Sequence, residues 1–237
     1  AILAAAFAGI DVQMLAYDRA AYPEPFQLML MLAAVGAVLA SRDADSRVEP
    51  ASLTKLMTAY AVFQALREGK LKLDTRVPVS ERAWKAEGSR TFVDVGTRVP
   101  VEVLIQGMIV QSGNDATIAL AEAIAGTEDT FAALMNQYAE RLGMTASHFQ
   151  NSTGLPGDNH KMSTSDMARL ARAIIREFPE YYRWYSQREF TWNHISQPNR
   201  NGLLARDPSV DGVKTGMTEA AGYCLIATAK RDFPNLA

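Results

Sequence analysis

The 237-residue chain is 48% hydrophobic and 21% charged, and its 24 basic and 26 acidic side chains leave a formal charge of −2. That balance excludes a disordered chain, and no basic run is interleaved with aromatics as nucleic-acid binding would need. One cysteine, Cys224, excludes an internal disulfide, and His148, His160 and His194 lack metal-ligand spacing, so neither a metal nor a cofactor is expected.

The length suits one large domain or two small ones. Ala1 to Ile10 is small and apolar, with Ala6-Phe7-Ala8 resembling a signal-peptidase site but no basic start. Tyr22-Pro-Glu-Pro25 reads as a turn or linker. Gln27 to Ala40 reads as two strands meeting near Val35-Gly36 or as a helix, and the polar segment that follows favours strands; the apolar run from Phe26 to Ala40 is too short for a membrane span. Pro50 then leads into a helix over Ala51 to Glu68, where Leu53, Leu56, Met57, Tyr60, Phe63 and Leu66 recur every three or four residues and Gly69 ends the run. Leu71 to Ser80 reads as extended. Glu81 to Phe92 is a polar loop carrying Trp84 and Gly88-Ser89. Pro100 opens a second helix to about Val110, and Ser112-Gly113-Asn114 follows as a turn. A third helix runs from Asp115 to Ala125, and Thr127 caps a fourth that ends near Gly143. Asn151 to Lys161 is a turn-rich loop, Ser163-x-x-Asp166 opens a fifth helix to Glu177, and Pro179 to Ser186 is aromatic and helical. Glu189 to His194 alternates as a strand. Val210 to Thr215 and Gly222 to Lys230 form a hairpin, with Lys214 near the end of its first arm. This order implies an α+β fold, a helical cluster packed on an antiparallel sheet.

Ser52-Leu53-Thr54-Lys55 stands at the head of the best helix. Residues three apart share a helix face, so a hydroxyl and an amine point into one space. A hydroxyl becomes a nucleophile when a base takes its proton, and a neutral lysine is such a base. Alone, Ser-x-x-Lys is also the pattern of a capping serine with a surface lysine. It gains meaning from Ser112-Gly113-Asn114 and Lys214-Thr215-Gly216 downstream. Ser-x-x-Lys, Ser-x-Asn and Lys-Thr-Gly, in that order, form the motif triple of penicillin-binding proteins and serine β-lactamases. Two nearby lysines disfavour each other's charged form, and a glycine after Lys-Thr lets the backbone approach a ligand closely.

The segments Pro50 to Ala61, Gly107 to Gly126 and Asp211 to Gly222, with Pro198 to Asn201, resemble D-alanyl-D-alanine carboxypeptidases, the low-molecular-mass penicillin-binding proteins of the type-5 kind. The resemblance covers residues 37 to 232. It implies the β-lactamase/transpeptidase-like fold and cleavage of the terminal D-alanine from peptidoglycan stem peptides, with β-lactams as covalent inhibitors. It makes Ser52 the nucleophile, Lys55 its base, Ser112 a proton relay and Lys214 a second cation that keeps Lys55 less protonated. Asn114 matches a partner of the substrate amide, and Thr215 and Arg200 match contacts to the terminal carboxylate. Gly216 lies in the binding strand, and the backbone N–H groups of Ser52 and Met217 match the oxyanion hole. Met217 stands where relatives often carry histidine. Residues 1–36 match the family poorly and read as a signal-peptide remnant with a first strand, where the apolar Ala33-Ala34-Val35-Gly36 replaces an acidic–Gly turn. Residues 37–237 are expected to form the serine carboxypeptidase domain, truncated at the C-terminus. Relatives continue with a β-rich second domain and often an amphipathic membrane anchor. The implied location is the bacterial periplasm, peripheral on the inner membrane through a segment absent from this chain. The alternatives are a serine β-lactamase and a non-catalytic penicillin-binding sensor. Ser-Gly-Asn in place of Ser-Asp-Asn argues against the class A lactamases, and Glu81 and Glu87 are poor candidates for a deacylating carboxylate.

Overall fold

The structure, a computed structural model, describes residues 12–18, 27–32 and 37–230. The apolar start, the Tyr22–Pro25 turn and the Ala33–Gly36 turn lie outside the described residues. Strands β1 (Val12–Asp18), β2 (Gln27–Leu32) and β3 (Ala37–Arg42) pair antiparallel in sequence order. The other side of β1 pairs with β9 (Gly222–Ala229), and β9 pairs with β8 (Val210–Thr218). The result is a five-stranded sheet in the order β3-β2-β1-β9-β8. Both expected hairpins are present. The β1 strand, which Met14, Leu15 and Ala16 alone do not announce, sits at the centre.

The helices are inserted between β3 and β8. A 3-10 turn, Ala51–Thr54, leads into α1 (Lys55–Arg67). Every residue of α1 from Lys55 to Ala65 is buried, as a helix apolar on most faces must be. Short α2 (Glu81–Trp84) and the two-stranded pair β4 (Arg76–Pro78) and β5 (Arg98–Pro100) follow. Then come α3 (Val101–Val110), α4 (Asn114–Ala125), α5 (Glu128–Arg141) and α6 (Thr164–Glu177). Helices α4, α5 and α6 pack around α1, and α6 lies on β1 and β2. The caps sit where the sequence places them: Thr127 accepts from Thr130 N, and Ser163 from Asp166 N.

The aromatic stretch divides into α7 (Pro179–Tyr182) and a 3-10 turn, Arg183–Ser186. Its rings join the core, with Phe63 stacked on Tyr181 at 4.9 Å and Tyr181 on Trp184 at 5.4 Å. Two expectations change in extent. The strand from Glu189 stops at Trp192 (β6) and turns back into β7 (Ile195–Pro198), because Asn193 and His194 take left-handed φ of 47° and 61°. A short helix, α8 (Leu203–Arg206), then precedes β8, which continues to Thr218, so Lys214 lies mid-strand.

Candidate active site

Ser52 sits in the 3-10 turn, half-buried, while Lys55 opens α1 and is only 2% exposed. Their spacing brings Lys55 Nζ to 3.1 Å from Ser52 Oγ. Nζ also donates to the Thr153 carbonyl at 2.6 Å. Burial holds the Lys55 ammonium well below its usual range; the positive charge of Lys214 pushes the same way, and Arg200 adds to it. The carboxylates of Asp115 and Glu128 oppose the shift. The resemblance implies that Lys214 keeps Lys55 less protonated, and the structure makes that the second cause, after desolvation.

A second hydroxyl–lysine pair faces the first. Lys214 Nζ, on β8, donates to Ser112 Oγ at 3.0 Å and to the Thr215 carbonyl at 2.8 Å. Burial first, and Arg200 second, bring its pKa down to about 7. Ser112 is buried between α3 and α4 with a left-handed φ of 61°. Such a backbone is costly for a serine and aims its side chain away from the path a continuing helix would take.

Asn114 starts α4. Its Nδ2 donates to the Glu87 carbonyl at 2.6 Å, and its backbone N–H to the Ser89 carbonyl at 2.7 Å. Its Oδ1 is buried without a hydrogen-bond partner among the described residues, which suits an acceptor for a ligand N–H. The adjacent Asp115 carboxylate, fully buried, accepts from the backbone N–H groups of Thr91, Phe92 and Val93 at 2.8, 2.8 and 3.2 Å. It thereby fixes the 87–93 segment as a wall. Trp84, 37% exposed, belongs to the same wall, with the Arg90 guanidinium 6.0 Å from its ring.

Strand β8 closes the site. A Cβ on Gly216 would stand 3.1 Å from the Ser52 nitrogen, a tight contact, so glycine lets the strand pass close to the nucleophile's backbone without strain. Thr215 is half-buried and Met217 is 57% exposed. Arg200 is exposed; its Nε donates to the Gln111 carbonyl at 3.2 Å. Gln111 Nε2 in turn donates to the Pro198 carbonyl, and Asn201 Nδ2 to that of Gly212, which tie the 198–201 segment to α3 and β8.

The structure thus gathers Ser52, Lys55, Ser112, Asn114 and Lys214, with Thr215, Gly216 and Met217 on the strand beside them. Two positions had no motif to mark them. Thr153 acts through its carbonyl, which any residue type carries. His160, set aside in the sequence, lies beneath the site: Nδ1 accepts from the Gln150 N–H at 3.0 Å, which leaves Nε2–H to donate to Thr54 Oγ1 at 2.8 Å. Neither Glu81 nor Glu87 carries its carboxylate inward. Glu81 pairs with Lys85 at 2.6 Å on the surface, and Glu87 is exposed.

Comparison with known proteins identifies the family and the fold. The chain is 47% identical over 208 residues to the D-alanyl-D-alanine carboxypeptidase DacC of Escherichia coli K12, covering 85% of this chain and 52% of the relative. The chain therefore spans about half the length of the curated relatives it matches. Among solved structures, the D-alanyl-D-alanine carboxypeptidase DacD of Francisella tularensis superposes with a TM-score of 0.83 at 35% identity, over 97% of this chain and 64% of that one. Penicillin-binding protein D2 of Listeria monocytogenes, in its ampicillin-bound form, gives 0.73 at 27% identity over 96% and 87%. The family model described as D-alanyl-D-alanine carboxypeptidase matches residues 24–237, so the two hydroxyl–lysine pairs sit on the expected fold and the chain belongs to that family.

Proposed function

We propose that this chain carries a serine-type D-Ala-D-Ala carboxypeptidase domain that removes the terminal D-alanine from peptidoglycan stem peptides. The observation that carries the reading is the pairing of two hydroxyls with two buried lysines, Ser52 with Lys55 and Ser112 with Lys214, both lysines shifted toward the neutral amine. A neutral Lys55 takes the Ser52 proton as Oγ attacks the carbonyl carbon of the penultimate D-alanine. The backbone N–H groups of Ser52 and Met217 hold the oxyanion. Collapse breaks the C–N bond, and the proton that Lys55 took passes through Ser112, which Lys214 supports, to the leaving amine, so Lys55 is neutral again. Free D-alanine departs and an ester remains on Ser52. Water then attacks that ester, Lys55 receives its proton, and Ser52 is restored.

Recognition divides along the same lines. Thr215 and Arg200 meet the terminal carboxylate, a hydroxyl and a guanidinium suited to an anion. Asn114 Oδ1 accepts from the substrate amide, and Gly216 lets the peptide lie close to β8. A β-lactam enters by the same attack, but its leaving nitrogen stays tethered and blocks water, so the acyl-enzyme persists. A peptidoglycan substrate fits a location in the bacterial periplasm, at the cell wall. Among the described residues no helix is long and apolar enough to cross a membrane.

Intact mass after brief exposure to benzylpenicillin, with D-alanine release from an N-acylated tripeptide ending in D-Ala-D-Ala, tests the reading. A stable adduct on the wild type, none on Ser52→Ala, and D-alanine release are the expected results. Fast drug loss without an adduct would instead indicate a β-lactamase; an adduct without D-alanine release would indicate a sensor.

A further inference from the structure

The buried carboxylate of Glu128 takes no step in the chemistry above, and its charge works against the neutral form of Lys55. It stands in the first turn of α5, only 5% exposed, where Thr127 already caps the helix. Its Oε1 accepts twice from one residue, from Ser152 N at 3.0 Å and Ser152 Oγ at 2.6 Å. Its Oε2 pairs with Arg82 Nη2 at 2.7 Å. The third polar group of Ser152, its carbonyl, accepts from Thr58 Oγ1 of α1 at 2.6 Å. Every polar atom of Ser152 is therefore engaged, and the residue is fully buried. The next carbonyl along the chain, that of Thr153, is the one that receives Lys55 Nζ. Asn151 Oδ1 holds the far side, accepting from Gly154 N at 2.7 Å.

We propose that Glu128 is a positioning residue for Lys55, acting through Ser152 and the Thr153 carbonyl. The inference rests on the proposed role of Lys55 as the base for Ser52. A neutral amine has two N–H bonds and one lone pair. Fixing one N–H on a rigid carbonyl restricts rotation about the terminal bond and keeps the lone pair on Ser52 Oγ. The carbonyl is rigid only if its surroundings are held: Asn151 Oδ1 holds the N–H of its own peptide, that of Gly154, and the Glu128 carboxylate anchors the preceding residue, Ser152, with two charge-assisted bonds. A helix-dipole role for Glu128 would affect stability alone. A positioning role would affect the rate of acylation, since a misplacement of about 1 Å costs a reacting group on the order of a hundredfold.

The test compares Glu128→Ala, Glu128→Gln and Ser152→Ala with the wild type. Saturation kinetics with benzylpenicillin separate the limiting acylation rate from half-saturation, and the final adduct stoichiometry normalises for folded protein. Glu128→Ala is expected to lose roughly 10- to 100-fold in the limiting rate with little change in half-saturation. Glu128→Gln, which keeps an acceptor for Ser152, should recover most of that rate. Ser152→Ala, which keeps its backbone N–H bond, should fall between and serves if Glu128→Ala does not fold. Rates within threefold of wild type in these variants would overturn the proposal. A crystal structure of unreacted Ser152→Ala or Glu128→Ala reads the contact without turnover: separation of Lys55 Nζ from the Thr153 carbonyl supports it, and an unchanged contact overturns it. If the wild type itself takes no penicillin, the functional reading fails, and the crystal structure still decides the role of Glu128.

Discussion

Gly154 follows the carbonyl that holds Lys55, and it lies against the residue before the nucleophile. Its φ is +89°, and a Cβ there would stand 1.8 Å from the Ala51 carbonyl oxygen and 2.4 Å from its carbon. Both obstacles are backbone, so no side chain can rotate away. In Gly154→Ala, the left-handed conformation costs about 1–2 kcal/mol. Forced displacement of packed atoms adds about 1–3 kcal/mol. A total of about 2–5 kcal/mol corresponds to a fall in melting temperature of roughly 5–15 °C for a chain of this size. Gly126→Ala is the matched control, because Gly126 has φ +81° and a Cβ there would meet nothing within 4 Å. It bears only the conformational cost, about 2–8 °C. The clash also moves Ala51, and with it Ser52, so benzylpenicillin acylation of Gly154→Ala should drop by about a hundredfold while Gly126→Ala reacts as wild type. Thermal unfolding and acylation rates of the two variants decide the matter. If Gly154→Ala melts alongside Gly126→Ala and reacts within threefold of it, the steric reasoning is wrong.

Three further outcomes are expected. Asp115→Asn removes a charged acceptor from three backbone N–H groups, so amide exchange at Thr91, Phe92 and Val93 should accelerate while α5 amides stay protected, with a stability loss of about 1–3 kcal/mol. His160 is buried and its pKa is lowered from 6.5 to about 4, chiefly by desolvation, so the unfolded chain binds its proton first as pH falls. Stability should therefore decline from about pH 6.5 to pH 4 and level off below, by at most about 3 kcal/mol, and urea titrations of His160→Gln should show a shallower slope there. Arg200 lowers the Lys214 pKa, so Arg200→Gln should move the inflection that Lys214 contributes to the pH–acylation profile above about 7, whatever its effect on the maximal rate. An unmoved inflection would mean that Arg200 does not act on Lys214 through charge.

The parts of this molecule that were legible in its sequence share a property: they are written in residue types. Ser52, Lys55, Ser112 and Lys214 carry side-chain chemistry at fixed spacings. The caps at Thr127 and Ser163 follow from hydroxyls that can reach the backbone of the next turn. Other parts depend on partners far along the chain. Thr153 contributes a carbonyl across 98 positions from Lys55, and no side chain signals that. Glu128 looks like an ordinary first-turn acid until Ser152 is placed beneath it. The 3-10 start of the Ser52 helix is likewise illegible, because the apolar period of Leu53, Leu56 and Met57 suits either geometry at a helix end.

The central place of β1 bears on how the molecule comes into being. Val12 pairs with Leu32 on one side and with Ala229 on the other, so one strand joins the earliest described residues to some of the latest. Such long-range pairing makes closure of the sheet slow compared with formation of the helices between its halves. The contact between Ser52 and Lys55 is local and can form within a single turn. Lys214 reaches Ser112 only when β8 has docked beside β9. During synthesis the nucleophile therefore emerges long before its surroundings, and the helical cluster must wait with an unfinished face until residues near 229 arrive. Reactivity toward penicillin should consequently appear as one of the last events in folding, later than helix content, and it offers a covalent marker for the moment at which the sheet closes.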